Sequence, residues 1–334
     1  MNAPTGPPGQ DSPKEQRVVS VVHLRDPTAV GEAVEVLNQD IVSLGTAKFE
    51  AKRVSVPFED CCLLYQWTNA RLRSQTRIHN DFDAWTILGP HARGSLDGRE
   101  LHSYDLMAAR SGAQGEIIVG SGYESIALLV PPQVLHKHLA LRRIKTDFIF
   151  PEDPVIWHPA EELAQSLFEL GARIAESAEK AAEIYNDSHR ARYGAQVEFM
   201  DSLLATIESC DPDETVDTDK KGKSYSQIVK KCEDYTLNLD ERRPYLSELC
   251  ATANVSERTL QYAFHDIMGM SPLTYLHRLR LHRARKELRN AKSDSTTVTD
   301  VAMNWGFWHF GEFSRTYKNC FGEVPSSTLR RNPV

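Results

Sequence analysis

The spacing of apolar positions divides the chain into a strand-rich part and a helical part. Residues 17–150 contain short β-prone runs that Gly, Pro, Asp and Asn interrupt, with one helix predicted at 28–37. Such runs predict a β-rich domain of the barrel or sandwich type. Between 159 and 208 apolar residues recur every three or four positions, which predicts helices. The pattern therefore indicates an α+β protein.

Composition suggests the remaining boundaries. Residues 1–16 are rich in Pro, Gly and polar side chains, and we expect a disordered tail there. A helical segment at 151–210 leads to an acidic stretch at 211–223, which predicts a linker, and 224–334 forms a C-terminal helical domain. The apolar runs are too short to cross a membrane, and the start lacks a signal-peptide pattern, so we expect a cytoplasmic protein.

The C-terminal domain contains two helix-turn-helix patterns, at 245–264 and 298–318, separated by a long helix predicted at 272–290. In each pattern a short apolar-periodic helix is followed by a tight turn and by a second helix with one polar face. A helix presented in this way fits the major groove of double-stranded DNA. The sequence therefore predicts a DNA-binding module.

The net charge of −7 is distributed unevenly along the chain. From Arg242 onward there are 14 Lys and Arg against eight Asp and Glu, so this end carries +6 and the rest carries −13. A basic module attached to an acidic body is typical of a protein with one nucleic-acid-binding end. The overall acidity therefore does not argue against DNA binding.

Several spaced motifs follow one another in the C-terminal domain. They are Leu246-x-x-Leu249-Cys250-Ala251, Val255-Ser256-x-Arg258-x-Leu260-Gln261-x-x-Phe264, Gly269-x-Ser271-Pro272-x-x-Tyr275-Leu276, Arg280-Leu281-x-x-Ala284-Arg285, Val301-Ala302, Trp305-Gly306-Phe307, Phe313-Ser314-Arg315-x-Tyr317-Lys318 and Phe321-Gly322-x-x-Pro325-Ser326. These motifs resemble the AraC/XylS family of transcription regulators over roughly 226–331. The resemblance implies a DNA-binding regulator and not an enzyme, with promoter DNA, a second copy in a homodimer and, for an activator, RNA polymerase as partners. It also implies an N-terminal cupin-like barrel that binds an effector or dimerises.

The second helix of the first unit supplies four candidate DNA-binding residues. Ser256 precedes the helix and can cap it. Arg258, Gln261 and Tyr262 face outward, where Arg can read guanine and Gln can read adenine. The resemblance places an Arg more often at the position of Tyr262, so the contact made there stays open between a thymine methyl group and a phosphate.

The second unit offers a weaker reading face. Gly311, Glu312 and Arg315 occupy the outward positions of the family, and Lys318 is a candidate phosphate contact. Arg315 can read guanine or hold a phosphate. Glu312 either accepts a hydrogen bond from a cytosine amine or weakens binding by this unit. We therefore expect the first unit to carry more of the sequence discrimination.

A strand predicted at 70–79 places Arg71, Arg73 and Arg77 on one face, because side chains alternate along a strand. Three guanidiniums repel one another unless they meet acids or a bound anion. Arg73-x-x-x-Arg77 also resembles the arginine half of the PilZ cyclic-di-GMP motif, whose second half is absent. Two interpretations remain: a solvated or internally paired face, or a site for an anionic effector such as cyclic di-GMP. A further alternative is a regulator without an effector, controlled by its abundance or by a protein partner.

Metal chemistry and enzymatic activity have little support in the sequence. His79, His91 and His102 do not fall at the spacing of metal ligands, so no metal or other cofactor is expected. The six cysteines match no zinc pattern and are expected to be free thiols. A cupin-type enzyme is disfavoured because no nucleophile has partners. The helices at 159–208 are expected to form a dimer interface, with packing on their own barrel as the alternative.

Overall fold

The computed structural model describes most of the chain. The predicted tail at 1–16 lies outside the described residues, as does most of the predicted acidic linker at 211–223. The described ranges are 18–32, 37–45, 48–142, 153–211, 220–239, 242–291 and 296–331.

The N-terminal domain contains two antiparallel sheets that face each other. This confirms the predicted β-rich, cupin-like domain, although the two sheets do not close into one barrel. A short 3-10 helix, Pro27–Glu32, stands where the sequence predicted a longer helix. In spatial order, the larger sheet holds β1 (Ser20–Leu24), β3 (Ala51–Pro57), β4 (Cys62–Thr68), β11 (Tyr123–Val130), β6 (Asp83–Leu88), β9 (Leu106–Ala109) and β12 (Val155–Trp157), and the smaller sheet holds β2 (Leu37–Ser43), β5 (Leu72–Ile78), β10 (Gln114–Val119), β7 (Gly94–Leu96) and β8 (Arg99–Leu101).

Helices follow the sheets along the chain. Within the described residues no helix combines the length and apolar character that crossing a bilayer requires. The helices are α1 (Pro132–Arg142), α2 (Glu161–Lys180), α3 (Glu183–Asn186), α4 (His189–Glu208), α5 (Lys220–Leu237), α6 (Leu246–Ala253), α7 (Glu257–Met268), α8 (Pro272–Asn290), α9 (Val298–Asn304), α10 (Phe310–Phe321) and α11 (Pro325–Arg330).

Helices α2 and α4, which were expected to form a dimer interface, pack on the larger sheet of their own chain. The apolar stripe of α2, including Leu167, Leu170 and Ile174, shares one core with Val54 and Ile126 of that sheet. A sheet with an apolar face needs a covering layer, and these helices supply it. This stripe is therefore buried within the protomer, as in the alternative interpretation, and dimerisation through the remaining faces of these helices stays a prediction.

The C-terminal domain has the predicted tandem helix-turn-helix arrangement, with α6 and α7 as the first unit and α9 and α10 as the second. The first turn contains Asn254 in the left-handed conformation, at a φ of 55°. The second turn contains Gly306 at a φ of 67°. A Cβ at Gly306 would lie 2.0 Å from the Arg280 guanidinium, so this position needs glycine for its conformation and for its space.

One apolar core joins the smaller sheet to the first helix-turn-helix unit. Val42, Leu44 and Ile118 lie on the outer side of that sheet and are buried in the same cluster as Phe264 and Leu279. The second unit has a separate core. The first unit is therefore fixed to the N-terminal domain by packing.

Candidate DNA-binding surface

Helix α7 is built as the sequence predicted. The Ser256 hydroxyl accepts a hydrogen bond of 3.2 Å from the Thr259 backbone N–H and so caps the helix. Leu260 and Phe264 are completely buried against the neighbouring helices. The remaining side of α7 is thereby turned to solvent.

Arg258 and Tyr262 form a pair on this exposed side. An Arg258 Nη donates to the Tyr262 hydroxyl at 3.2 Å, and the guanidinium carbon lies 5.4 Å from the centre of the tyrosine ring. This contact limits the conformations of both side chains. Gln261 is partly exposed beside them. The three residues therefore present a connected polar surface to a ligand.

Helix α10 presents the four residues predicted for the second unit. Gly311, Glu312, Arg315 and Lys318 are all exposed, whereas Phe313 between them is buried. A Cβ added at Gly311 would meet no atom within 4 Å. The backbone at the start of α10 is therefore open to close approach by a large partner such as DNA.

Two exposed aromatic residues precede or begin α10 and were missed as candidate site residues. Trp308 is 53% exposed and Phe310 is 41% exposed. The spacing of Phe310 relative to Phe313 and Tyr317 predicts a buried side chain, which is wrong; Phe307 is buried instead and lies 4.9 Å from Phe313 between ring centres. The two aromatic side chains on either side of His309 were the available signal. Such side chains can contact thymine methyl groups.

Helix α8 carries one helix-turn-helix unit at each end. Tyr275 and Leu279 belong to the core of the first unit, and Ala284 and Leu288 belong to the core of the second. A helix of 19 residues is about 28 Å long. That length is close to one turn of DNA, about 34 Å. The two units therefore have a separation compatible with neighbouring major grooves.

Most basic side chains of α8 are turned away from solvent, although Lys286 is exposed. Arg283 donates to Asp40 at 2.7 Å, and Arg285 donates to Asp26 at 2.8 Å. Arg280 is buried beside Phe307. Both aspartates belong to the N-terminal domain. Arg283 and Arg285 therefore join the two domains.

Arg71 of the predicted arginine face contacts the end of α7. Its guanidinium donates to the backbone carbonyls of Ile267 at 2.9 Å and Met268 at 3.1 Å. These carbonyls lie in the last turn of the helix, where partial negative charge favours a cation. Arg77, on the same strand, is exposed. Arg71 therefore serves the contact between domains.

Arg73 lies at the centre of a buried ion-pair cluster between the domains. It is 1% exposed and donates to Glu116 at 3.0 Å, to Asp40 at 3.3 Å and to Glu233 of α5. The Tyr275 hydroxyl also donates to Glu233. Burial alone would lower the pKa of Arg73, but the anionic groups around it raise that pKa above its ordinary value. Of the two interpretations left open, internal pairing describes Arg73.

A cavity of about 160 Å³ lies between the two sheets. The inner face of β5 lines it with Leu72, Ser74, Thr76 and Ile78, as the predicted alternation requires. Arg71, Arg73 and Arg77 are not part of its wall; Arg71 and Arg73 make the contacts described above, and Arg77 is exposed on the opposite face of β5. The polar part of its wall includes the buried Arg53 guanidinium, which donates to Gln39 at 2.8 Å and to Gln66 at 2.7 Å.

Known proteins resemble the C-terminal third of the chain. Residues 249–331 match the family model of a helix-turn-helix domain. The chain is 37% identical over 107 residues to the "Probable thc operon regulatory protein" of Rhodococcus erythropolis and 34% identical over 115 residues to the "XylDLEGF operon transcriptional activator 1" of Pseudomonas putida. These matches span 32% and 34% of this chain and the same shares of the two relatives.

A solved structure resembles a larger part of the chain at lower identity. The AraC-like transcriptional activator CuxR is 14% identical, with a match that covers 80% of this chain and 96% of that chain at a TM-score of 0.40. The sequence matches to regulators and the tandem helix-turn-helix geometry coincide in the same segment. Residues 249–331 are therefore a helix-turn-helix domain that is similar to the matching parts of these operon regulators.

Proposed function

We propose that the whole chain is a cytoplasmic, sequence-specific regulator of transcription that binds promoter DNA. The observation that carries this proposal is the pair of exposed recognition faces, on α7 and α10, held at opposite ends of α8 in a domain that resembles the AraC/XylS family. Arg258, Gln261, Tyr262 and Arg315 are the proposed base contacts, with Lys318 on a phosphate.

The remaining named residues have narrower roles in this proposal. Ser256 fixes the start of α7, and Gly311 leaves room for the DNA backbone. Glu312 lowers the affinity of the second unit because phosphates repel it. We propose that the protein forms a homodimer, which places four recognition helices on DNA. It would also contact RNA polymerase when it acts as an activator. Sedimentation of the purified chain with and without promoter DNA tests the dimer.

We also propose that a small molecule in the cavity sets the position of the DNA-binding domain. The argument is that β5 and β10 each contact the cavity with one face and the DNA-binding domain with the other. Leu72 and Ser74 of β5 line the cavity, and Arg73, which lies between them in the sequence, faces the DNA-binding domain. On β10, Ile117 lines the cavity and Glu116 joins the ion-pair cluster. A shift of either strand therefore moves groups on both sides.

The cavity indicates a small and mainly apolar effector. Its volume is close to the roughly 150 Å³ of an apolar cavity known to hold benzene. Burial lowers the pKa of Arg53 to about 10, and an anionic or hydrogen-bond-accepting group on the ligand would stabilise this charged guanidinium. A cyclic dinucleotide is several times larger than this cavity. We therefore propose a small apolar carboxylate or a similar acceptor-bearing molecule.

Fluorescence anisotropy on DNA selected by the full chain from a random-sequence pool tests the DNA contacts. In the Arg258→Ala/Arg315→Ala double variant we expect at least a tenfold loss of affinity and reduced sequence preference, since each arginine–guanine contact is worth about 1–3 kcal/mol. The Arg173→Ala/Arg190→Ala variant is the matched control, because it removes two exposed arginines from α2 and α4. Full affinity in the first variant would overturn the assignment.

A thermal-shift screen of small carboxylates tests the effector. A ligand that binds the folded state raises the melting temperature by mass action. Thr76→Phe fills the cavity, so it should abolish that rise while DNA binding persists. If ligands raise the melting temperature of Thr76→Phe as they do for the native chain, they bind elsewhere. If no class of small molecule binds, the regulator is controlled by abundance or by a protein partner.

A further inference from the structure

Two histidines and an aspartate meet at the edge of the larger sheet, away from the cavity and the DNA-binding surface. His102 and Asp105 lie in the turn between β8 and β9, and His158 follows β12. Strands β9 and β12 are paired so that Leu106 lies opposite Trp157. Asp105 and His158 are the next residues beyond this pair, so the sheet register itself brings them together.

The three ligating atoms lie close to one another. Nδ1 of His158 is 2.8 Å from one Asp105 carboxylate oxygen, and Nδ1 of His102 is 3.6 Å from the other. One nitrogen from each histidine and one carboxylate oxygen all lie within 4.8 Å of one another. Ligands on a tetrahedral zinc ion, at bond lengths of about 2.1 Å, are about 3.4 Å apart. The distance of 3.6 Å between His102 Nδ1 and the carboxylate is close to that spacing.

The turn holds Asp105 in place before any ion binds. The Asp105 side chain is 5% exposed, and its carboxylate accepts the His102 backbone N–H at 2.7 Å. Tyr104 adopts a φ of 65°, a left-handed conformation that is costly for a bulky residue. Such conformations cluster at functional sites. The chain therefore accepts local strain to keep His102 and Asp105 side by side.

Internal hydrogen bonding explains only part of this cluster. The bond between His158 and Asp105 is sufficient for those two residues, but 3.6 Å is too long for a hydrogen bond between His102 and the carboxylate. Glu100 and Glu161 lie on the rim of the same surface pocket. A cation bound by both imidazoles and the carboxylate would use all three ligands at once.

We propose that His102, Asp105 and His158 bind a first-row divalent cation, with zinc as the best match. Two imidazole nitrogens and one carboxylate oxygen suit such ions, and a water molecule or a rim glutamate supplies the fourth ligand. The ion would fasten the end of β12 to the turn before β9. The spacing of histidines along the chain could not indicate this site, because His158 is 53 residues from Asp105.

Metal titration of the full-length, tag-free chain, after treatment with a chelator, tests the site. We expect one equivalent of zinc by elemental analysis. Cobalt(II) should give visible absorption without the thiolate charge-transfer band that cysteine ligands would produce. His102→Ala and His158→Ala should each weaken binding by at least about tenfold. His79→Ala is the matched control, since His79 pairs with Asp81 at 3.2 Å on an exposed turn.

Thermal melting, as a second measurement, distinguishes the loss of metal binding from the loss of folding. His102 is 61% exposed, so His102→Ala and His102→Gln should keep the melting temperature of the metal-free native chain. Zinc should raise the melting temperature of the native chain and of His79→Ala, and leave that of the His102 variants unchanged. Equal zinc affinity in all variants, or no zinc bound by the native chain, would overturn the proposal.

Discussion

Replacing Arg73 with Met tests whether the buried ion-pair cluster fixes the DNA-binding domain to the N-terminal domain. Met keeps a long unbranched side chain but removes the positive charge. Glu116 and Asp40 would remain on the N-terminal side of the contact, facing Glu233 of α5. Asp40 would keep its ion pair with Arg283, but Glu116 and Glu233 would be brought together without the cation that separates them.

The structure sets the size of the expected loss. Removing one partner of a buried ion pair costs about 3–5 kcal/mol, because the other charge stays buried without compensation. Arg73 and Glu233 are 1% and 3% exposed, so solvent screening does not reduce this figure. We expect Arg73→Met to lower the free energy of unfolding by about that amount, a large share of the stability of a domain.

The loss should depend on pH. Burial raises the pKa of Glu233 above its ordinary value, and the loss of Arg73 would raise it further. A group whose pKa is raised in the folded state contributes stability at low pH that disappears as the pH rises through that folded pKa. The difference between Arg73→Met and the native chain should therefore be larger at pH 8 than at pH 6.

Urea denaturation followed by circular dichroism, with hydrogen exchange of β5 and α5, measures both effects. Arg77→Met is the matched control, because Arg77 is exposed on the same strand and should change stability by less than about 0.5 kcal/mol. A double-mutant cycle with Glu233→Gln isolates the pair. A loss below about 1 kcal/mol in Arg73→Met, or equal losses in both variants, would refute this reasoning.

Three further predictions concern the C-terminal domain. Burial lowers the pKa of His282 to about 3. The neutral imidazole therefore contributes stability that is complete above the pKa of the unfolded chain and is lost as the pH falls below it. Between pH 6.5 and 5 the free energy of unfolding of the native chain should fall by about 2 kcal/mol more than that of His282→Gln, measured by acid denaturation. Gly306→Ala should destabilise the domain by more than about 1 kcal/mol, whereas Gly311→Ala, in open space on a helix, should stabilise it by about 0.5–1 kcal/mol in thermal melts. Glu312→Gln should tighten DNA binding at low salt in anisotropy titrations; weaker and less selective binding would show that Glu312 reads cytosine instead.

The tandem units could be predicted because their local signals agree with the final structure. Ser256 caps α7 through its own hydroxyl, and the apolar spacing of Leu260 and Phe264 selects the buried side. Gly306 marks the turn of the second unit. These signals act over a few residues, so the sequence contains them without reference to the rest of the fold.

Strand β2 could not be predicted, for a physical reason. Its two faces are both covered: Gln39 lines the cavity beside Ile41, whereas Val42 lies beneath the DNA-binding domain and Asp40 pairs with Arg73 and Arg283. Polar and apolar residues therefore occur on both sides, and the alternation typical of a half-buried strand disappears.

The arginine face shows the same limit. Strand alternation correctly placed Arg73 and Ser74 on opposite faces of β5. The partner that gives Arg73 its role, Glu233, lies 160 residues away along the chain. No local pattern connects those two positions. The choice between an anion site and an internal pair therefore needed the tertiary structure.

The size of the domain contact limits how an effector can act. Separating the domains would expose Val42, Leu44 and Ile118, at about 1.5–3 kcal/mol for each buried apolar side chain, or roughly 5–9 kcal/mol in total before the ion pairs are counted. An effector that prefers one arrangement a hundredfold supplies only about 2.8 kcal/mol. It therefore cannot detach the DNA-binding domain. The cavity ligand must instead move β5 and β10 within the docked state, so its binding should change DNA affinity while the radius of gyration measured by X-ray scattering stays constant; an expansion on ligand binding would contradict this mechanism.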